Sequence, residues 1–159
     1  MVEFDFNRSF GFVLHDTARM LGKRFDQRAR ELGLGLTRAQ CQVLAYLVYR
    51  EGINQVGLAD LLEIEPISLA RLIDRMELAG WVERRSDPHD RRARRLFITE
   101  KAKPVFAQMV QVGAETRGEA LAGLTVPERE RLMELLLRVR RNLSEREAAL
   151  APQAAGAEQ

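Results

Sequence analysis

EPISLARLIDRMELAGWVERRSDPHDRRARRLFIT, residues 65–99, changes its period half-way along. In the first half Leu69, Leu72, Ile73 and Met76 recur at helical steps, which predicts one buried stripe. Pro66 suits a first helical turn and Gly80 the position just past a helix end. Ser68, Arg71 and Arg75 fall at i, i+3 and i+7 on a different face. From Trp81 onward WVERR and RRARRLFIT are β-rich, and SDPHD between them predicts a hairpin with a loop of several residues. Just upstream, VGLADLLEI reads as another short helix. Two short helices joined by a tight turn form a helix-turn-helix, and a hairpin directly after the second makes it winged. The fold class that follows is mainly α with a small β-hairpin wing.

On the N-terminal side, residues 10–32 predict a long amphipathic helix with Leu14, Ala18, Leu21, Phe25, Ala29 and Leu32 on one face. The glycines of LGLGLT end it. Thr37 with Gln40 forms a capping box for a second helix through QCQVLAYLVYRE, which Gly52 and Asn54 break. On the C-terminal side, Thr99 is placed to cap a fifth helix through KAKPVFAQMVQVGAETRGEALAGL. Thr125 and Glu128 form a capping box for a sixth, with Leu132, Leu135, Leu136, Val139 and Leu143 as its stripe. These outer stripes exceed what a core of about sixty residues covers. They predict helices that pack against each other and against a second copy of the chain. The expected organisation is a dimerisation helix over 1–34, a winged helix-turn-helix over 35–99, dimerisation helices over 100–148 and a disordered tail over 149–159.

Composition narrows the function classes. The 159 residues fit one domain with extended arms, 46% hydrophobic and 30% charged, as in a globular protein rich in helix. The longest apolar run, Val43 to Tyr49, is too short for a membrane span, and the opening residues show no secretory pattern. One cysteine excludes an intramolecular disulfide. The expected compartment is the cytoplasm. His15, His89 and Cys41 lack zinc-site spacing, and no glycine-rich phosphate loop or nucleophile elbow is present. No enzyme, metal or cofactor is expected. Cys41, inside an apolar run, reads as a buried structural thiol rather than an oxidant sensor.

Six of the fifteen residues from Trp81 to Arg95 are arginine, yet the net charge is only +2. A charge run is by default a solvated face. Beside a helix-turn-helix it gains a second reading, a finger that meets phosphate. A twofold dimer would present two recognition helices about one helical turn of DNA apart, roughly 34 Å, to a near-palindromic duplex. Ser68 near the helix start suits phosphate, and Arg71 and Arg75 suit guanine edges. The alternative for both arginines is a surface ion pair, such as Arg71 with Asp74 or Glu77. An arginine at the hairpin tip gains most in a narrow A·T-rich minor groove, and Asp90, two residues before Arg92, suits a partner that holds it extended.

SLARLIDRMELAGWVERR, DPHDRRARRLFITEKAKPV and the amphipathic last helix resemble the MarR family of bacterial transcription regulators, nearest its SlyA-like branch, over about residues 10–148. The resemblance implies a dimeric winged helix-turn-helix protein, generally a repressor, that releases double-stranded DNA on binding a small aromatic acid. By position it implies DNA contacts at Ser68, Arg71 and Arg75, a backbone contact at Arg91, a minor-groove arginine at Arg92 and Asp90 as its orienting partner. His15, Arg19 and Tyr46 would line the effector pocket. Ile67 stands where many members carry proline or threonine, and LGLGLT is two residues longer than usual. The competing expectation from another class is a winged-helix protein-interaction module without sequence-specific DNA binding.

Overall fold

The computed structural model describes residues 5–90 and 93–154, with side chains to 145. Among the described residues, six α-helices and one hairpin follow in the order α1 (Phe10–Glu31), α2 (Arg38–Tyr49), α3 (Gln55–Leu62), α4 (Pro66–Leu78), β1 (Val82–Ser86), β2 (Arg94–Ile98), α5 (Lys103–Ala120) and α6 (Val126–Ala154). The chain divides into two compact units, one up to Gly118 and one from Glu119. The boundary falls inside the region expected to hold only dimerisation helices, so α1 and most of α5 belong to the unit that carries the wing.

Local chemistry accounts for most element ends. The Thr37 hydroxyl accepts from the Gln40 amide while the Gln40 side chain accepts from the Thr37 amide, the reciprocal box read from the sequence. Asn54 caps α3 by accepting from the Gly57 amide at 2.7 Å. Past α4, Gly80 adopts φ +76°, Gly80 N–H donates to the Glu77 carbonyl and Trp81 N–H to the Met76 carbonyl. This paired closure turns the chain sharply from α4 into the hairpin.

Val43, Leu44 and Leu47 of α2, Leu58 of α3, Leu69, Ile73 and Met76 of α4, and Val82 and Leu96 of the hairpin are at most 1% exposed. They form one core with Ala29 of α1 and with Met109 and Val112 of α5. Alternation delivers Leu96, but neither Arg95 nor Phe97, to that core. Leu96 lies opposite Arg84 in the hairpin register.

One expectation gains a second role and three need correction. The segment 52–54, which does break the helix, also lies alongside β2: Gly52 N–H donates to the Leu96 carbonyl, Leu96 N–H donates to the Ile53 carbonyl, and Asn54 bridges Arg95. Thr99 makes no side-chain cap; its hydroxyl donates instead to the Gly80 carbonyl at 2.5 Å, and a 3-10 turn over Glu100–Ala102 precedes α5. The fifth helix ends at Ala120 rather than 124, followed by a turn with Gly123 at φ +83°. The last helix continues to Ala154, beyond the 148 expected, through a stretch rich in alanine, the strongest helix former. Residues 155–159 lie outside the described residues.

The Thr125 box is half formed. Thr125 donates both its amide and its hydroxyl to Glu128, at 2.7 and 2.8 Å, and these bonds hold that carboxyl below its usual range. The α1 face expected to be apolar is buried only toward its end, at Ala29, whereas Leu14 and Leu21 stay exposed. Within the second unit, Leu132, Leu135, Leu136 and Leu143 are likewise exposed. Among the described residues no helix is long and apolar enough to cross a membrane.

Candidate nucleic-acid interface

The buried stripe of α4 holds the helix on the core and decides what its other side presents. Ser68, Arg71 and Arg75 are all exposed, as is Ile67 at 65%. Glu65, which precedes Pro66, makes no side-chain cap. The sequence alternative for Arg71, pairing with Asp74 or Glu77, is not what the structure adopts. Both carboxylates are taken by Arg84 of β1, whose Nη2 lies 2.6 Å from Asp74 and whose Nη1 lies 2.5 Å from Glu77. Among the described residues, Arg71 and Arg75 enter no ion pair. Their guanidinium groups stay available to a ligand, on the same helix face as Ser68.

The wing resolves its own charge in a similar way. Arg85 meets Glu83 and lies 4.2 Å from the Phe97 ring centre, a cation–π contact. Arg94 donates to the Ser86 hydroxyl. Arg95 donates through Nε to Asp87 at 2.6 Å. So four of the six wing arginines have partners within the wing and α4, three of them paired with carboxylates. Arg91 and Arg92 lie outside the described residues, and with them the expected pairing of Asp90 with Arg92. The Asp90 backbone itself is engaged: its N–H donates to Asp87 and its carbonyl accepts from Ala93.

Asp87 organises the wing tip, although its sequence context marks it only as a turn signal. One of its oxygens takes Arg95; the other accepts from the amides of His89 at 2.7 Å and Asp90 at 3.3 Å. Its backbone N–H donates to the Ala93 carbonyl, closing the loop. The tip is therefore tied at its base immediately before the expected DNA-contacting arginines. The hairpin register, in which Arg95 faces Arg85 two residues before Asp87, could have revealed the pair.

The Arg95 guanidinium, followed by the two amides, holds the Asp87 carboxyl below the usual carboxylate range. A depressed folded-state pKa means that the ion pair supports the wing above the unfolded pKa and is lost as pH falls through the folded one. The protection of the His89 and Asp90 amides against exchange should therefore hold at neutral pH and be lost as pH falls through the lowered folded-state pKa. Asp87→Ala, which removes the acceptor oxygens, should leave both amides unprotected relative to a free peptide at every pH. Slow exchange in that variant would remove the carboxylate from the account.

The pocket residues are less united. His15 and Arg19 are one turn apart and exposed on α1, but Arg19 donates from Nε and Nη2 to Asp16 at 3.1 and 2.9 Å. Tyr46 is half-buried and packs on the core. Cys41 is buried in α2, and burial, with the nearby Asp26 carboxylate, pushes its thiol up to about 11. That leaves almost no thiolate at neutral pH, as the structural reading requires. Nearby, Asp26 binds Arg38 across α1 and α2, and Gly22 leaves room for that guanidinium: a Cβ there would lie 2.7 Å from it. Among the described residues no group of three or more His, Cys, Asp or Glu could hold a metal.

This geometry has close parallels. The MarR family model matches residues 34–93, the helix-turn-helix and the start of the wing. The chain is 34% identical over 110 residues to an uncharacterized HTH-type transcriptional regulator, YybA, of Bacillus subtilis (strain 168), covering 69% of this chain and 73% of that one. The crystal structure of the transcriptional regulator SlyA superposes with a TM-score of 0.67 at 32% identity, over 83% of this chain and 92% of that one. A mutant MarR from E. coli complexed with operator DNA superposes with a TM-score of 0.69 at 28% identity, over 86% and 99% of the two chains. A winged helix-turn-helix whose recognition face is left cationic, and whose relatives share it in sequence as well as fold, belongs to the MarR family of DNA-binding transcription regulators.

Proposed function

We propose that the protein is a homodimeric repressor that reads a near-palindromic, A·T-rich operator. Helix α4 enters the major groove and Arg92 of each wing enters the flanking minor groove. The observation that carries this reading is the exposed row of Ser68, Arg71 and Arg75, from which the neighbouring carboxylates have been drawn away. Ser68 meets phosphate at the helix start, Arg71 and Arg75 meet base edges, Arg91 meets the backbone, and Asp90 orients Arg92. Dimerisation is supported within each unit by open apolar rows, Phe10, Val13, Leu14 and Leu21 in the first and Leu132, Leu136 and Leu143 in the second. Left in water, such rows are costly at about 25 cal/mol per Å² of apolar surface. A small aromatic acid that engaged His15, Arg19 and Tyr46 would have to displace Asp16 from Arg19, so effector release ranks below DNA binding here.

Selection of duplexes from a random pool at about 150 mM salt, where bare electrostatic binding is weak, tests the reading. Recovery of an A·T-rich inverted repeat supports it. Recovery of no consensus favours the rival, a protein-docking winged helix. On the recovered duplex, Arg71→Ala should relax base preference at one position of each half-site; uniform weakening across sequences would make Arg71 a phosphate contact instead.

A further inference from the structure

The solvent side of α4 carries both signs of charge. With about 100° between successive residues, Ser68, Arg75 and Arg71 fall on one flank and Asp74 and Glu77 on the other, Asp74 lying one turn from Arg71. Unattended, Asp74 would pair with Arg71, and Glu77 would add a second negative charge close to any bound phosphate. Arg84 covers that acidic flank. Besides its two carboxylate partners, its Nη2 reaches the Ala70 carbonyl at 3.4 Å, and its backbone N–H donates to Glu77 at 3.1 Å. Its side chain is only 20% exposed, whereas Asp74 is 60% and Glu77 41% exposed. A half-buried arginine between two exposed carboxylates is spent on them.

We infer that Arg84 is a positioning residue for DNA recognition: it withdraws Asp74 and Glu77 from the recognition face, so that Arg71 and Arg75 meet the duplex unpaired. It works through the charge of its neighbours and makes no DNA contact of its own. Because one arginine joins β1 to α4, it also couples the wing's position to the exposure of the reading arginines. This inference rests on the DNA-binding reading proposed above.

The test measures affinity of the full-length protein for the selected duplex by fluorescence anisotropy, with circular dichroism melting as the folding check. Arg84→Met should weaken binding about tenfold by exposing the two acids. Adding Asp74→Asn and Glu77→Gln to it should restore affinity to within about threefold of wild type, since neutral amides no longer compete. A direct phosphate contact or a merely structural role would leave the triple variant as weak as Arg84→Met, and that result overturns the inference. Where Arg84→Met fails to fold, Arg84→Lys carries the test. It keeps the charge but holds one carboxylate less well, and its weaker binding should be reversed by Glu77→Gln. No reversal overturns the inference. Wild-type binding matched by Arg84→Met sinks this inference alone; a wild-type protein that binds no selected duplex sinks the DNA reading with it.

Discussion

Leu96→Ala is expected to lower unfolding free energy by about 2–5 kcal/mol, the range for deleting a fully buried leucine where a cavity remains. Leu96 is the point where the wing enters the core. Its side chain is 0% exposed, and its backbone amide and carbonyl both bond to the 52–53 segment. It belongs to one core with other fully buried residues, so the void is not readily filled. For a domain whose whole stability is about 5–15 kcal/mol, this is a large share. Urea titration followed by circular dichroism should show a lower midpoint at unchanged slope. A drop of under about 1 kcal/mol would mean that the hairpin relaxes onto the core and is not held by Leu96.

Arg92→Ala should cost about 1–3 kcal/mol of duplex affinity and leave the proposed dimer intact. The expectation combines the sequence, which places Arg92 near the hairpin tip, with the way that tip is tied down. Asp87 binds Arg95 and the amides of His89 and Asp90, so the chain is fixed as far as Asp90, and less entropy should be lost when an arginine just beyond it enters a groove. The salt dependence should also flatten, by about one unit in the slope of log K against log salt for each phosphate no longer neutralised. Anisotropy across a salt series, with light scattering for the oligomeric state, separates the effects. Unchanged affinity would remove the wing from recognition, and a monomeric variant would place Arg92 at an interface between copies.

Much of this architecture is legible in the residues because it depends on near neighbours. The α4 stripe, its stop at Gly80, the Thr37–Gln40 box and the hairpin after Trp81 are each set by spacings of two to five residues. Periodicity and capping chemistry act over such distances and survive the details of packing. The family resemblance rests on the same stretches. Thr99 shows where local reasoning fails: its position suits a cap, but the close approach of Gly80 offers its hydroxyl a carbonyl from nineteen residues away.

The arginines divide along the same line. Sequence by itself determined that a helix-turn-helix is followed by an arginine-rich hairpin, and that Ser68, Arg71 and Arg75 share a face. Only tertiary structure decided which charges remain free. Arg84 finds the Ala70 carbonyl fourteen residues away and Asp74 ten residues away because β1 folds back beside α4. Arg95 finds Asp87 across the strands of the hairpin. The strength of a charge pair depends on separation and burial, and both are fixed by the angle between elements rather than by their order along the chain.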